Sequence, residues 1–114
     1  MPHTKLIGVA RGLAPVDLLI RNCRLINVLS GEIHEEHIAI ADGLVVGFGE
    51  YEARAVLNAE GRFACPGLIE GHIHIESTLL HPVEFAKVAA AHGTAGVICD
   101  PHEIANVLGI PGIE

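Results

Sequence analysis

At Pro66 the chain changes its hydrophobic period, and that change restricts what it can fold into. Beyond it, Leu68 to Glu76 reads as a strand. Pro82 then opens a helix at its first position, where a missing N–H costs nothing. Glu84 sits near the positive end of that helix, and Phe85, Val88 and Ala89 form an apolar stripe at i, i+3, i+4. Gly93 is placed to close it in the left-handed conformation. Ala95 to Cys99 is apolar throughout, as a strand buried on both faces would be, and a short helix from about Ile104 to Leu108 ends at Gly109 and Pro111. Strand, helix, strand, helix is the opening of a parallel α/β fold.

Before Pro66 the pattern differs. Val16 to Arg21, Arg24 to Val28, His37 to Ala41, Leu44 to Phe48 and Gly61 to Cys65 are short β-branched or apolar runs. Asn22-Cys23, Ser30-Gly31 and Asp42-Gly43 punctuate them, and Asp42-Gly43 is the strongest hairpin signal of the chain. Alternation along these runs is partial, which predicts a small sheet covered on one face. The expected organisation is a small β domain over 1–65 and the start of an α/β barrel over 66–114. At 114 residues the chain is shorter than the roughly 250 that a closed (β/α)₈ barrel needs, so it reads as the N-terminal piece of something larger.

Composition excludes several classes of function. Half of the residues are apolar, enough for a core, whereas 18% are charged and 4% aromatic, which fits neither a coiled coil nor a base-stacking platform. Seven Lys and Arg against 14 Asp and Glu give a formal charge of −7, which disfavours nucleic acid and anionic membrane surfaces as partners. Cys23, Cys65 and Cys99 are odd in number, widely spaced and without a C-x-x-C, so no disulfide framework is expected and a reducing, cytoplasmic setting fits. The start, with Pro2 and Arg11, lacks the apolar run of a signal peptide. The longest uncharged stretch, Val88 to Cys99, is too short and too broken by Gly93 and Gly96 to span a membrane.

Eight histidines in such a chain point to metal or proton chemistry. The densest constellation is Gly71-His72-Ile73-His74-Ile75-Glu76. On a strand, alternate residues share a face, which sets His72, His74 and Glu76 one way and Ile73 and Ile75 the other. Two imidazoles one strand repeat apart, about 6–7 Å between Cα atoms, converge on one cation; imidazole suits zinc, iron and similar ions. A bare H-x-H is also what the polar face of a half-exposed strand looks like. Burial of both strand faces tips the reading toward a ligand, because two buried histidines without one are costly.

The second constellation is Asp100-Pro101-His102-Glu103, directly after the second strand, where α/β barrels carry their active sites. It also resembles a helix start, with Asp100 or His102 as cap and Glu103 favouring the dipole. Ser77 and Thr78 are loop or substrate-facing residues. His34 and His37 flank Glu35 and Glu36 in an expected turn and read as solvated, His81 as a helix cap, His92 as a helix C-terminal residue and His3 as terminal. His74-Ile75-Glu76 matches the H-x-E half of the cytidine-type zinc deaminase signature, but the P-C-x-x-C half is missing, which excludes that family.

PGLIEGHIHIEST at 66–78 resembles the first barrel strand of the amidohydrolase superfamily. The longer run HIHIESTLLHPVEFAKVAAAHGTAGVICDPHEIANVLG, His72 to Gly109, resembles the bacterial and archaeal adenine deaminases. DLLIRNCRLINVLSGEIHEEHIAIADGLVVGFGE, Asp17 to Glu50, resembles the small β domain of such enzymes. G-H-I-H alone marks the superfamily; the H-I-E-S type followed by CDPHEIANVLG is more specific, although Thr78 stands where Ser is common and His81 where Thr is.

The resemblance implies a fold: the N-terminal part of an amidohydrolase, with a small β-sandwich-like domain and the first two βα units of a TIM-type (β/α)₈ barrel. It implies hydrolysis of adenine to hypoxanthine and ammonia at a two-metal site holding Mn²⁺, or Fe²⁺ or Zn²⁺. His72 and His74 match the family's first two metal ligands, and Glu76, Asp100, His102 and Glu103 are the candidate catalytic residues. The remaining ligands would come from later strands, so the segment is expected to be inactive alone and to self-associate through exposed strands. The alternatives are a dihydroorotase- or hydantoinase-like cyclic amidase, a sugar-phosphate deacetylase relative, or a non-catalytic metal-binding module. The Asp100 to Asn106 run weighs against the other enzymes.

Overall fold

The structure is a computed structural model that describes residues 3–114. Pro2, used above in reading the start of the chain, lies outside the described residues. The chain divides into two compact units, one ending at Cys65 and the other spanning Pro66–Glu114.

The first unit is a five-stranded sheet with one helix. Helix α1 covers His3–Ala10, and the strands are β1 Val16–Asn27, β2 Glu32–Ala41, β3 Leu44–Phe48, β4 Ala53–Asn58 and β5 Phe63–Ala64. Their order is β3-β2-β1-β4, with β5 continuing alongside β1. Strand β1 is central: antiparallel to β2, parallel to β4 and β5.

Asn22 does not divide two strands as the sequence suggested. It takes a positive φ of 54° inside one continuous β1, where the register to β2 shifts between Ile20 and Cys23. An Asn tolerates that conformation, and the result is a bulge rather than a break. Asp42 and Gly43 form the expected hairpin: both have positive φ, 53° and 74°, between the paired Ala41 and Leu44. Strand β4 was not foreseen. Ala53 to Asn58 has Val56 as its single β-branched residue among Ala, Arg, Leu and Asn, and its long-range parallel pairing with β1 supplies what local preference does not. Of the run Gly61 to Cys65, only Phe63–Ala64 is strand.

The buried hydrophobic core lies here: Val9, Val16, Leu19, Cys23, Ile38, Ala39 and Ala41. Helix α1, also unforeseen, contributes Val9 and packs Leu6 beside it. Tyr51 passes over the backbone of Gly47 in β3 so closely that a Cβ there would overlap its hydroxyl, which donates 2.9 Å to the carbonyl of Ala10 at the end of α1.

The second unit is built on two parallel strands, β6 Leu68–Ile73 and β7 Thr94–Cys99, with α2 Pro82–Ala91 between them and α3 His102–Leu108 after them. Pro82 does open α2, and the His81 side chain caps it by accepting from Val83 N at 3.3 Å. Gly93, at φ 90°, follows the helix as expected.

Two expectations are corrected. Strand β6 stops at Ile73, not Glu76; Ile75–Thr78 is a 3₁₀ turn. Nor are the strands buried on both faces: Leu68, Ile69 and Ile98 remain 63%, 71% and 61% exposed. Burial therefore does not mark His72 and His74 as ligands, because His72 is exposed and His74 only half-buried; their geometry does.

Candidate metal centre

The register of the two parallel strands brings the two constellations together. Ile73 pairs with Cys99, and Asp100 N donates 3.1 Å to the carbonyl of Ile73. His74 and Asp100 thus leave adjacent strand ends side by side, at the C-terminal edge where open and closed α/β sheets place ligands.

His74 Nδ1 lies 3.1 Å from the carbonyl oxygen of Asp100. A carbonyl only accepts, so Nδ1 carries the proton and the lone pair of the neutral ring sits on Nε2. That Nε2 lies 3.2 Å from Nε2 of His72, with the two rings edge to face at 4.9 Å. Two ligands at about 2.0–2.1 Å from one ion stand about 2.9–3.4 Å apart for angles between right and tetrahedral. The spacing of this pair fits a shared cation, and the fixed tautomer of His74 presents the required lone pair. The convergence survives the end of the strand because His74, at φ −101° and ψ 100°, is still extended.

The other candidate residues divide. Asp100 holds two imidazoles: its backbone oxygen takes His74, and its Oδ2 lies 3.3 Å from Nδ1 of His102. The rings of His74 and His102 meet edge to face at 4.9 Å, and one ligand atom from each of His74, His102 and Glu103 lies within 4.8 Å of the others. Neither Asp100 nor His102 caps α3, whose N-cap position is Pro101 with no side-chain bond. Ser77 is exposed, and Thr78 folds its hydroxyl back to the carbonyl of Ile75 at 2.6 Å.

Glu76 does not share a strand face with the histidines, because the 3₁₀ turn redirects it. Its Oε1 accepts 3.1 Å from Ile104 N, supplying from a distance the cap that α3 lacks, while Oε2 is buried without a hydrogen-bond partner among the described residues. Its carboxyl is held below the usual range, first by its own backbone N–H, then by that of Ile104, with smaller help from His102 and His74. No local sequence rule pairs residues 76 and 104; the i, i+3 capping pattern is the nearest, and it cannot see across a helix and a strand.

Elsewhere, His37 is not simply solvated. Its Nδ1 accepts from Asn22 N at 3.2 Å and its Nε2 lies 3.0 Å from Glu50 Oε1. All three cysteines are free thiols, as their spacing indicated. Among the described residues, no helix is long and apolar enough to cross a membrane.

Comparison with known proteins finds similar sequences and structures. Residues 63–114 match the amidohydrolase family. The chain is 68% identical over 109 residues to an adenine deaminase of Oleidesulfovibrio alaskensis, covering 96% of this chain and 19% of that protein. It is 55% identical over 110 residues to an adenine deaminase of Syntrophobacter fumaroxidans, again covering 96% of this chain and 19% of the relative. The chain thus spans about a fifth of the length of these relatives. An L-hydantoinase from Arthrobacter aurescens superposes with a TM-score of 0.61 at 28% identity, over 75% of this chain and 21% of that one. An N-acyl-D-glutamate deacylase from Bordetella bronchiseptica, at TM-score 0.64 and 20% identity over 75% of this chain and 19% of that one, shares the fold.

Proposed function

We infer that this chain is the N-terminal portion of an adenine deaminase of the amidohydrolase family. We propose that the whole enzyme hydrolyses adenine to hypoxanthine and ammonia at a two-metal site at the mouth of a (β/α)₈ barrel, of which residues 66–114 form the first two βα units. Residues 1–65 then belong to a small β domain. The observation that carries the reading is the His72–His74 pair, 3.2 Å between Nε2 atoms, with the His74 tautomer set by the Asp100 carbonyl.

His72 and His74 would hold one ion, with manganese, iron or zinc compatible with imidazole and carboxylate donors. When bound, such ions supply a nucleophile at neutral pH by lowering the pKa of water. The chain's own residues orient. Asp100 fixes the ring of His74 from the backbone and that of His102 from the side chain, as residues behind metal-ligating histidines do. Glu76 holds the start of α3 against the turn that follows His74. We place the enzyme in the cytoplasm, in adenine salvage or catabolism. We also propose that this segment alone self-associates through its exposed apolar strands, as unpaired strand edges do.

The test uses ammonia release from adenine with added Mn²⁺. The 114-residue chain by itself is expected to give no turnover above the metal-only blank. Joined to the remaining four-fifths of the Oleidesulfovibrio alaskensis relative, it is expected to give turnover. In that chimera, His72→Ala and His74→Ala should lower metal content and activity together. Ile73→Val should leave metal content alone and cost only about 0.5–1.5 kcal/mol of packing. Hydrolysis of a hydantoin in place of adenine would favour the cyclic amidase instead. Full metal occupancy in both His→Ala variants would reduce the pair to a polar strand face.

A further inference from the structure

We propose that His37 is a proton-sensitive latch on the β1 bulge: the neutral ring pins Asn22, and the protonated ring releases it together with the loop that follows β4. The latch stands apart from the deaminase reading, since no residue of 66–114 takes part in it.

The hydrogen bonds assign the neutral form. The N–H of Asn22 donates to Nδ1 of His37 at 3.2 Å, so Nδ1 carries a lone pair and no proton. Nε2 lies 3.0 Å from Oε1 of Glu50, a carboxylate that only accepts, so the one ring proton sits there. The ring is a two-ended clamp: one end holds a residue of β1, the other the connection between β3 and β4. A second proton enters only at Nδ1, where it meets the Asn22 N–H, donor against donor. The Glu50 end does not let go, because an imidazolium binds a carboxylate more strongly than a neutral ring does. Oε2 of the same carboxylate accepts 2.7 Å from Nη2 of Arg21, which keeps Glu50 in place. The cost of protonation therefore falls on the Asn22 bond.

That bond restrains more than one residue. Asn22 sits at φ 54°, where a residue other than glycine needs support from its surroundings. Its side chain donates to Asn58 Oδ1 at 3.0 Å. Its carbonyl accepts from Gly61 N, and that of Arg21 from Ala59 N, both at 2.8 Å. The loop from Asn58 to Gly61 thus hangs on the bulge. Solvent reaches the latch, because His37 lines an open cavity of about 600 Å³ and its side chain is 25% exposed. Charges of both signs face the ring. Arg21, Arg24 and the Cys23 thiol come from β1, and Glu35 and Glu36 from β2 itself, where Glu36 also lies 4.0 Å from His34. Glu50 comes from the connection after β3, and the Glu60–Arg62 pair flanks Gly61 on the loop. Imidazoles take up their second proton between about pH 5 and 8.

Hydrogen exchange read at single amides by NMR on the 114-residue chain, corrected for the intrinsic effect of pH, tests the latch. From about pH 7.5 to about pH 5.5, protection at Asn22 N and Gly61 N should fall about fivefold or more, with the midpoint of the His37 ring titration. Gly49 N, which donates to the carbonyl of His37 at 2.9 Å and touches neither end of the ring, should hold within about twofold. His37→Gln does not titrate in this range and should make protection at Asn22 independent of pH. Glu50→Gln keeps an accepting oxygen but removes the charge that favours the imidazolium, and should lower the midpoint by about half a pH unit. A His37 ring that titrates while protection at Asn22 stays constant would overturn the proposal. So would an undiminished pH dependence in His37→Gln, or an equal loss at Gly49, which would mean a general loosening of the sheet.

Discussion

The two units differ in where their apolar residues go. Residues up to 65 bury Val16, Leu19 and Cys23 completely beneath a sheet and a helix. Among the residues of 66–114, none is buried, yet this unit brings together His72, His74, Asp100 and His102. The first unit is organised by burial and the second by hydrogen bonds at strand ends. Hydrogen bonds alone can hold functional groups in register over a few residues, but they contribute little net stability. The chemistry therefore sits on the part of the chain least able to stand by itself.

The sharpest way to break that contrast is a pair of truncations. Leu19→Ala should cost about 2–5 kcal/mol, whereas Ile69→Ala, at a side chain 71% exposed, should stay within about 0.5 kcal/mol. Urea unfolding of the two variants decides it, and equal losses would mean that Ile69 has a buried partner in solution, such as a second copy.

Thiol chemistry gives the next largest effect. Cys65 and Cys99 should react with an aromatic disulfide reagent at once, and Cys23 only on unfolding. Burial is the main cause that pushes the Cys23 thiol above its ordinary range, outweighing its backbone hydrogen bond. A group raised on folding contributes stability below its unfolded pKa and loses it as pH rises through the folded one. The first unit should therefore weaken above about pH 8.5, the ordinary thiol value. Cys23→Ala should remove that slope.

A smaller and more local effect is expected at Glu76. Glu76→Ala should speed hydrogen exchange at the Ile104 amide, and Glu76→Gln, which retains an accepting oxygen, should restore most of the protection. Unchanged exchange in both would dissolve the link between the two constellations.

What the sequence disclosed follows the range of the interactions involved. The Asp42-Gly43 hairpin, the Pro82 helix start with its His81 cap, and the closing Gly93 are set within a few residues and were readable. The convergence of His72 and His74 was readable from a period of two. Strand β4, the capping of α3 by Glu76 and the bond between the Asp100 carbonyl and His74 depend on pairings across tens of residues, which one sequence does not display. Expected burial of β6 and β7 failed for a related reason: an apolar run signals a strand but not what covers it, and Leu68, Ile69 and Ile98 stay exposed.

The passage of Tyr51 over Gly47 has a consequence for how these positions can vary. The ring occupies the volume of a missing side chain in β3 and carries the bond that ties α1 to the sheet. Residues 47 and 51 are therefore one unit of variation. Any side chain at 47 evicts the ring and releases the helix, so sequences that depart from Gly47 should also lack a large aromatic residue at 51. They should need another way to cover Val9.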